Sequence, residues 1–185
     1  MRKLIVANMV TADGFFAGPN GEIDWHNVDD EFNDYAIDFL NSIDTLIFGR
    51  VTYQGMASYW PTPVGTTDDP IVAGHMNRLR KIVLSRTLES AEWNNTTLVK
   101  DDAATAMAHL KQQPGKDMAI FGSGSVVSAF TQLGLIDEYR IIVNPVILGS
   151  GRSMFSGNTR ELKLQLVQAR PFRSGNVLLL YQPKA

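Results

Sequence analysis

Met118-Ala119-Ile120-Phe121-Gly122-Ser123-Gly124-Ser125-Val126-Val127 is the stretch that decides the fold. Met118 to Phe121 is an apolar run of strand length, and beyond the glycine-serine pair Val126, Val127, Phe130 and Leu133 recur at helical spacing. A strand, a glycine turn and a helix in that order gather unpaired backbone N–H groups and the positive end of the helix dipole at one point. Small side chains let a diphosphate approach the backbone there, so the expected ligand is an anion. The helix stops at Gly134. Ile136 to Val143 forms a further strand, ending in Asn144-Pro145 and the glycine-rich Leu148-Gly149-Ser150-Gly151-Arg152.

The same strand-to-helix punctuation recurs upstream. Thr45 to Phe48 reads as a strand, and Gly49-Arg50-Val51-Thr52 opens a helix that carries Tyr53 and Met56 and fades at Trp60-Pro61. Arg80 to Arg86 reads as a strand ending in a polar, basic turn at Leu84-Ser85-Arg86. Lys3 to Val10 is nearly continuous in apolar residues, which predicts a strand buried on both faces near the sheet centre. Thr11 to Gly21 has the composition of a mobile loop able to close over a ligand, and Asp29 or Asp30 caps a helix with Phe32, Tyr35, Ala36, Phe39 and Leu40 on its apolar face. Thr62 to Asp69 reads as a loop. Leu98-Val99 is a short strand, Asp101 or Asp102 caps a helix to Gln112, and Leu162–Ala169 and Val177–Tyr181 are antiparallel strands around a Ser174-Gly175-Asn176 turn. The order is α/β: roughly eight strands in a mainly parallel sheet with an antiparallel C-terminal end and about four flanking helices, in a single domain spanning residues 1–185.

Composition narrows the function. Lys and Arg number 17 against 19 Asp and Glu, a formal charge of -2 without long runs of either sign, which disfavours nucleic-acid binding. The absence of cysteine removes thiol and disulfide chemistry and suits a cytoplasmic protein. No apolar stretch reaches the ~20 residues of a membrane span, and the apolar run after Met1-Arg2-Lys3 is too short for a signal peptide. His26, His75 and His109 lack metal-ligand spacing, so no metal is expected. Gly122-x-Gly124 lacks the third glycine of the Rossmann fingerprint, and Gly115-Lys116 lacks the Ser or Thr of a P-loop. What remains is convergence: Arg50 with Thr52, Ser85 with Arg86, and Gly122 to Ser125 all follow strands, at the edge where open α/β sheets bind ligands. Glu22-Ile23-Asp24-Trp25-His26, beside the mobile loop, offers stacking and carboxylate hydrogen bonds to a polar heterocycle, or else places Trp25 in the core. Tyr53 is read either as lining that pocket or as a core residue.

Together these residues resemble the dihydrofolate-reductase-like fold, and more closely the reductase domain at the C-terminal end of the riboflavin-biosynthesis deaminase-reductase. The resemblance runs nearly the whole chain. It rests on Phe48-Gly49-Arg50-Val51-Thr52, Leu84-Ser85-Arg86, Phe121-Gly122-Ser123-Gly124, Leu133–Glu138 and Pro145–Gly151, while Met9-Val10-Thr11-Ala12-Asp13-Gly14 resembles the family's Ser-Leu-Asp-Gly loop. It implies a nicotinamide dinucleotide across the sheet edge. Ala7 would meet the carboxamide; Phe121, Gly122, Ser123, Gly124, Ser125 and Val126 the diphosphate; Gly49, Arg50, Val51, Thr52, Leu84, Ser85 and Arg86 the adenosine half. Two arginines there favour NADPH. Asp13, Trp25 and Tyr53 are the substrate-binding candidates, and Asp24 and Asp30 the candidates for orienting or protonating the substrate. The implied activity is NADPH-dependent reduction of a C=N or C=O bond in a small heterocycle, as by 5-amino-6-(5-phosphoribosylamino)uracil reductase, in a homodimer. Dihydrofolate reduction and non-catalytic nucleotide binding are the alternatives. The chain departs from the fused family enzyme in having no cysteine to ligate a deaminase zinc.

Overall fold

The computed structural model describes residues 1–184. Eight strands form one sheet: β1 (Leu4–Thr11), β3 (Ile43–Gly49), β4 (Arg80–Leu84), β5 (Thr96–Val99), β6 (Asp117–Ile120), β7 (Glu138–Asn144), β9 (Leu164–Pro171) and β10 (Val177–Pro183). Their spatial order is β5-β4-β3-β6-β1-β7-β10-β9. The first six in that order are mutually parallel, whereas β10 runs antiparallel to both β7 and β9. This is the expected architecture, with β1 inside the sheet between β6 and β7. Alternation along β1 divides the core: Leu4, Val6 and Val10 pack with α5 (Ala103–Gln112) and α6 (Gly124–Gln132) on one face, and Ile5 with α1 (Asp30–Ser42), α2 (Arg50–Ala57) and α4 (Pro70–Arg78) on the other. Burial on both faces explains why these strands read as unbroken apolar runs.

Two expectations are corrected. The Thr62–Asp69 segment is not a loop, because it contains the helix α3 (Pro63–Asp68), which brings the helices among the described residues to six. Its start is chemically explicit: the Thr62 hydroxyl accepts from the Gly65 N–H at 3.3 Å, with Pro63 in the first turn. Asp69 repeats the device for α4, accepting from the Val72 N–H at 2.9 Å ahead of Pro70. Glycine, proline and threonine outweigh these signals in a six-residue window. The second correction concerns Thr11–Gly21, which is not open loop: β2 (Phe15–Ala17) pairs antiparallel with β8 (Arg152–Ser153) as a separate ribbon. Phe15 and Phe16 are half-buried. Long-range pairing of three residues with two leaves no periodic signal. Of the alternative helix caps, Asp29 serves α1 through the Phe32 N–H, and Asp102 serves α5 through the Thr105 N–H.

Candidate functional site

Because the six central strands are parallel, their carboxyl ends lie along one edge, and register fixes which turns are neighbours. Gly49 is opposite Leu84, Leu84 is opposite Val99, and Ile47 is opposite Ile120. The turns after β3, β4, β5 and β6 therefore stand side by side.

The β3 and β6 turns are joined directly. Ser123 is buried, and its hydroxyl accepts from the Gly49 N–H at 2.6 Å and donates to the Thr52 hydroxyl at 2.9 Å. It therefore does not cap its own helix, and α6 begins without a side-chain cap. The first N–H groups of a helix have no intrahelical acceptor, so the start of α6 keeps donors and the positive dipole end for an external anion. The approach is close because the side chains are absent. Gly122 and Ser123 are consecutive left-handed residues, with φ of +69° and +59°. A Cβ on Gly122 would come within 2.8 Å of the Thr52 Oγ1, and one on Gly49 within 2.7 Å of the Ser123 Oγ. Phe16 of the ribbon lies against the same turn, its ring 3.0 Å from where a Gly124 Cβ would sit.

The outer turns form a cavity of about 230 Å³ between the ends of β4 and β5 and the first turns of α6, whose charged lining residues are Arg86, Lys100 and Asp102, the last engaged as the cap of α5, alongside Leu84, Ser85 and Ser125. The Ser85 hydroxyl closes its own turn by accepting from the N–H groups of Thr87 and Leu88 at 3.2 and 3.0 Å. Arg86 and Lys100 are exposed and have no ion-pair or hydrogen-bond partner among the described residues, leaving two cations free at this cavity. Lys100 was not singled out in the sequence; its position directly after a two-residue apolar strand was the available signal. Arg50 is exposed on the first turn of α2 with one Nη1 contact of 3.3 Å to Gln54 Oε1. Val51 beside it is also exposed.

The structure distributes the remaining candidates. Ala7 is half-buried on β1 opposite Arg140, on the α1 side of the sheet, and Phe121 packs against Phe39 with ring centroids 6.0 Å apart on that same side. Tyr53 is not with the strand-end groups. It is 4% exposed, its hydroxyl accepts from the Trp93 N–H at 2.9 Å, and it faces a separate cavity of about 710 Å³ between α2, α4 and the β4–β5 connection. Trp25 is half-buried rather than in the core, with its indole N–H donating to the Glu22 carbonyl at 3.2 Å and its ring edge-on to His26 at 4.6 Å. Burial pushes the His26 imidazole down to about 4, so it is neutral at pH 7. Asp24 and Asp30 are exposed, and neither has a hydrogen-bond or ion-pair partner among the described residues.

Asp13 has a full set of partners. Its carboxylate accepts from the Thr11 hydroxyl at 2.6 Å and from the N–H groups of Gly149 and Leu148 at 2.7 and 3.3 Å, clasping the ribbon loop to the glycine-rich loop after β7. The Thr11 hydroxyl, with the two loop N–H groups, holds the carboxyl below its ordinary range. A carboxylate lowered on folding stabilises the fold above its unfolded pKa, and that contribution is lost as pH falls through the lower folded value. Asp13→Asn is therefore expected to loosen the two loops at neutral pH and to flatten the acid limb of their protection. Hydrogen exchange at Leu148 and Gly149 between pH 3 and pH 7 measures both.

A mainly parallel sheet with antiparallel last strands, bearing an uncapped helix start and a basic cavity at its carboxyl edge, defines a dihydrofolate-reductase-like α/β protein. Residues 2–178 match the family described as RibD C-terminal domain, and the chain belongs to that family. It is 35% identical over 184 residues to the uncharacterized protein YyaP of Bacillus subtilis (strain 168), covering 97% of this chain and 94% of that protein. Among solved structures, a Shewanella sp. PV-4 protein provisionally assigned to riboflavin biosynthesis superposes with a TM-score of 0.76 at 23% identity, over 99% of each chain. The Thermotoga maritima deaminase/5-amino-6-(5-phosphoribosylamino)uracil reductase gives 0.70 at 16%, over 99% of this chain and 57% of that one. Dihydrofolate reductase of Enterococcus faecalis, complexed with NADP(H), gives 0.67 at 17%, over 99% and 97%. At these identities the structural likenesses establish the fold.

Proposed function

We propose that the protein is an NADPH-dependent reductase of a C=N or C=O bond in a small heterocycle, acting in the cytoplasm as a homodimer. The observation that carries this reading is the joined pair of turns at Gly49–Thr52 and Gly122–Ser125 beside a cavity with two cations that have no partner among the described residues. NADPH supplies the hydride when bound; the chain's contribution is to bind, orient and exclude water. The left-handed turn and the start of α6 take the diphosphate, and Arg50, Arg86 and Lys100 the phosphates of the adenosine half. Family membership supports a riboflavin-pathway type of reduction, with a pyrimidine or pteridine as the substrate class. Dihydrofolate belongs in the same substrate panel.

Asp30, the first residue of α1, and Asp24, in the segment before it, are exposed carboxylates without a partner among the described residues. Their exposure suits groups that receive protons from solvent and relay them. The outer strand β9 supports the dimer, with Leu166 and Val167 50% and 54% exposed on an unpaired edge. The test follows NADPH consumption against a panel of aminouracils, pteridines and dihydrofolate. Turnover with an aminouracil or pteridine, reduced at least 100-fold in Asp30→Asn or Asp24→Asn, is the expected result. A chain that binds NADPH and turns over none of the panel would favour the non-catalytic nucleotide-binding alternative.

A further inference from the structure

Strand β1 places one polar side chain in an otherwise apolar row. Leu4, Val6 and Val10 face the core shared with Ile120, Val126 and Met154, and alternation points Asn8 to the same side, where it is 6% exposed. A buried amide is costly unless its groups are bonded, and valine or leucine would carry no such cost. The Asn8 Oδ1 accepts from the Gly122 N–H at 2.6 Å, and Nδ2 donates to the Met154 Sδ at 2.9 Å, a weak acceptor. The strong bond is thus to the first residue of the left-handed pair. Fixing that N–H sets the rotation of the Phe121–Gly122 peptide, and with it the path of the chain into Ser123 and the start of α6.

We propose that Asn8 is a positioning residue for the anion-binding turn, holding Gly122 in the conformation that receives the diphosphate of the dinucleotide. This rests on the reductase reading above. Asn8 acts through Gly122 and does not itself touch the ligand. Its influence is local to the diphosphate, because the adenosine end is served by Arg86 and Lys100 in the turns after β4 and β5. A residue that merely filled space would affect both ends alike, through stability.

The experiment uses the full chain with Asn8→Val and Asn8→Ser, two packings of the position of which neither side chain reaches the Gly122 N–H as the amide does. Three quantities are read in each: exchange protection of the Gly122 amide, affinity for NADPH, and affinity for adenosine 2′-monophosphate, which has no diphosphate. The expected result is faster exchange at Gly122, about 10-fold weaker NADPH binding, as for the loss of one hydrogen bond, and 2′-monophosphate binding within twofold of wild type. Unchanged NADPH affinity, or equal weakening of both ligands, would overturn the assignment. Binding of neither ligand by the wild-type chain would instead remove the reductase reading on which it rests, a failure separate from that of the variants.

Discussion

Gly122→Ala is expected to abolish measurable NADPH binding and to lower the unfolding free energy by roughly 2–4 kcal/mol, from a left-handed backbone that alanine resists and an overpacked contact. The added Cβ would stand 2.7 Å from the Thr52 Cγ2 and 2.8 Å from its Oγ1. Neither neighbour can withdraw without consequence, because Thr52 accepts the Ser123 hydroxyl, which in turn receives the Gly49 N–H. One methyl group therefore pushes on both joined turns. Gly55→Ala and Gly74→Ala are the controls: a Cβ at either position meets nothing within 4 Å, both glycines lie within helices, and a gain of about 0.5–1 kcal/mol is expected. Denaturant unfolding and fluorescence titration separate the two parts of the effect. Wild-type affinity in Gly122→Ala would show that the turn does not carry the dinucleotide.

The second large effect is on the choice between dinucleotides. Removing Arg86 takes from the 230 Å³ cavity an exposed guanidinium that has no ion-pair or hydrogen-bond partner among the described residues. A hydrogen bond to a charged group contributes about 1.5–3 kcal/mol, so Arg86→Ala is expected to weaken NADPH about 10- to 100-fold. NADH, without the 2′-phosphate, should change by less than threefold, and the melting temperature by no more than about 2 °C. Arg50→Ala is expected to act in the same direction with a smaller effect, since its guanidinium already contacts Gln54. Equal weakening of both dinucleotides would assign Arg86 to the diphosphate. No weakening of either would leave it a solvated surface charge.

What could be read from the sequence was local. Ile120-Phe121 to Val126-Val127 and Phe48 to Thr52 each switch from a strand's apolar run to helical spacing across a glycine, and that switch marks an element boundary and the place where an anion is expected. Strand order was not legible: nothing near Leu4 or Asp117 states that β1 lies between β6 and β7, because pairing is set by contacts more than one hundred residues apart. The hydroxyl link from Ser123 to Gly49 and Thr52 was hidden because its partners lie 74 and 71 residues away, and the role of Asn8 because Gly122 lies 114 residues on; in sequence Asn8 is a lone polar residue in an apolar run. Tyr53, open in sequence between pocket and core, is a buried aromatic that the fold turns toward Trp93 and away from the strand ends. Asp13, a substrate-binding candidate by sequence, has both carboxylate oxygens accepting hydrogen bonds within the two loops it joins.

The reductase proposed above requires a dinucleotide to lie across the carboxyl edge of the sheet. Backbone amide shifts of the isotope-labelled chain, recorded as NADPH is added, test it most directly. Saturable shifts concentrated at Gly49–Thr52, Ser85–Arg86, Lys100 and Gly122–Val126 are the predicted result. Shifts confined to the cavity beneath Tyr53 and Trp93, or no saturable shift at all, would contradict it.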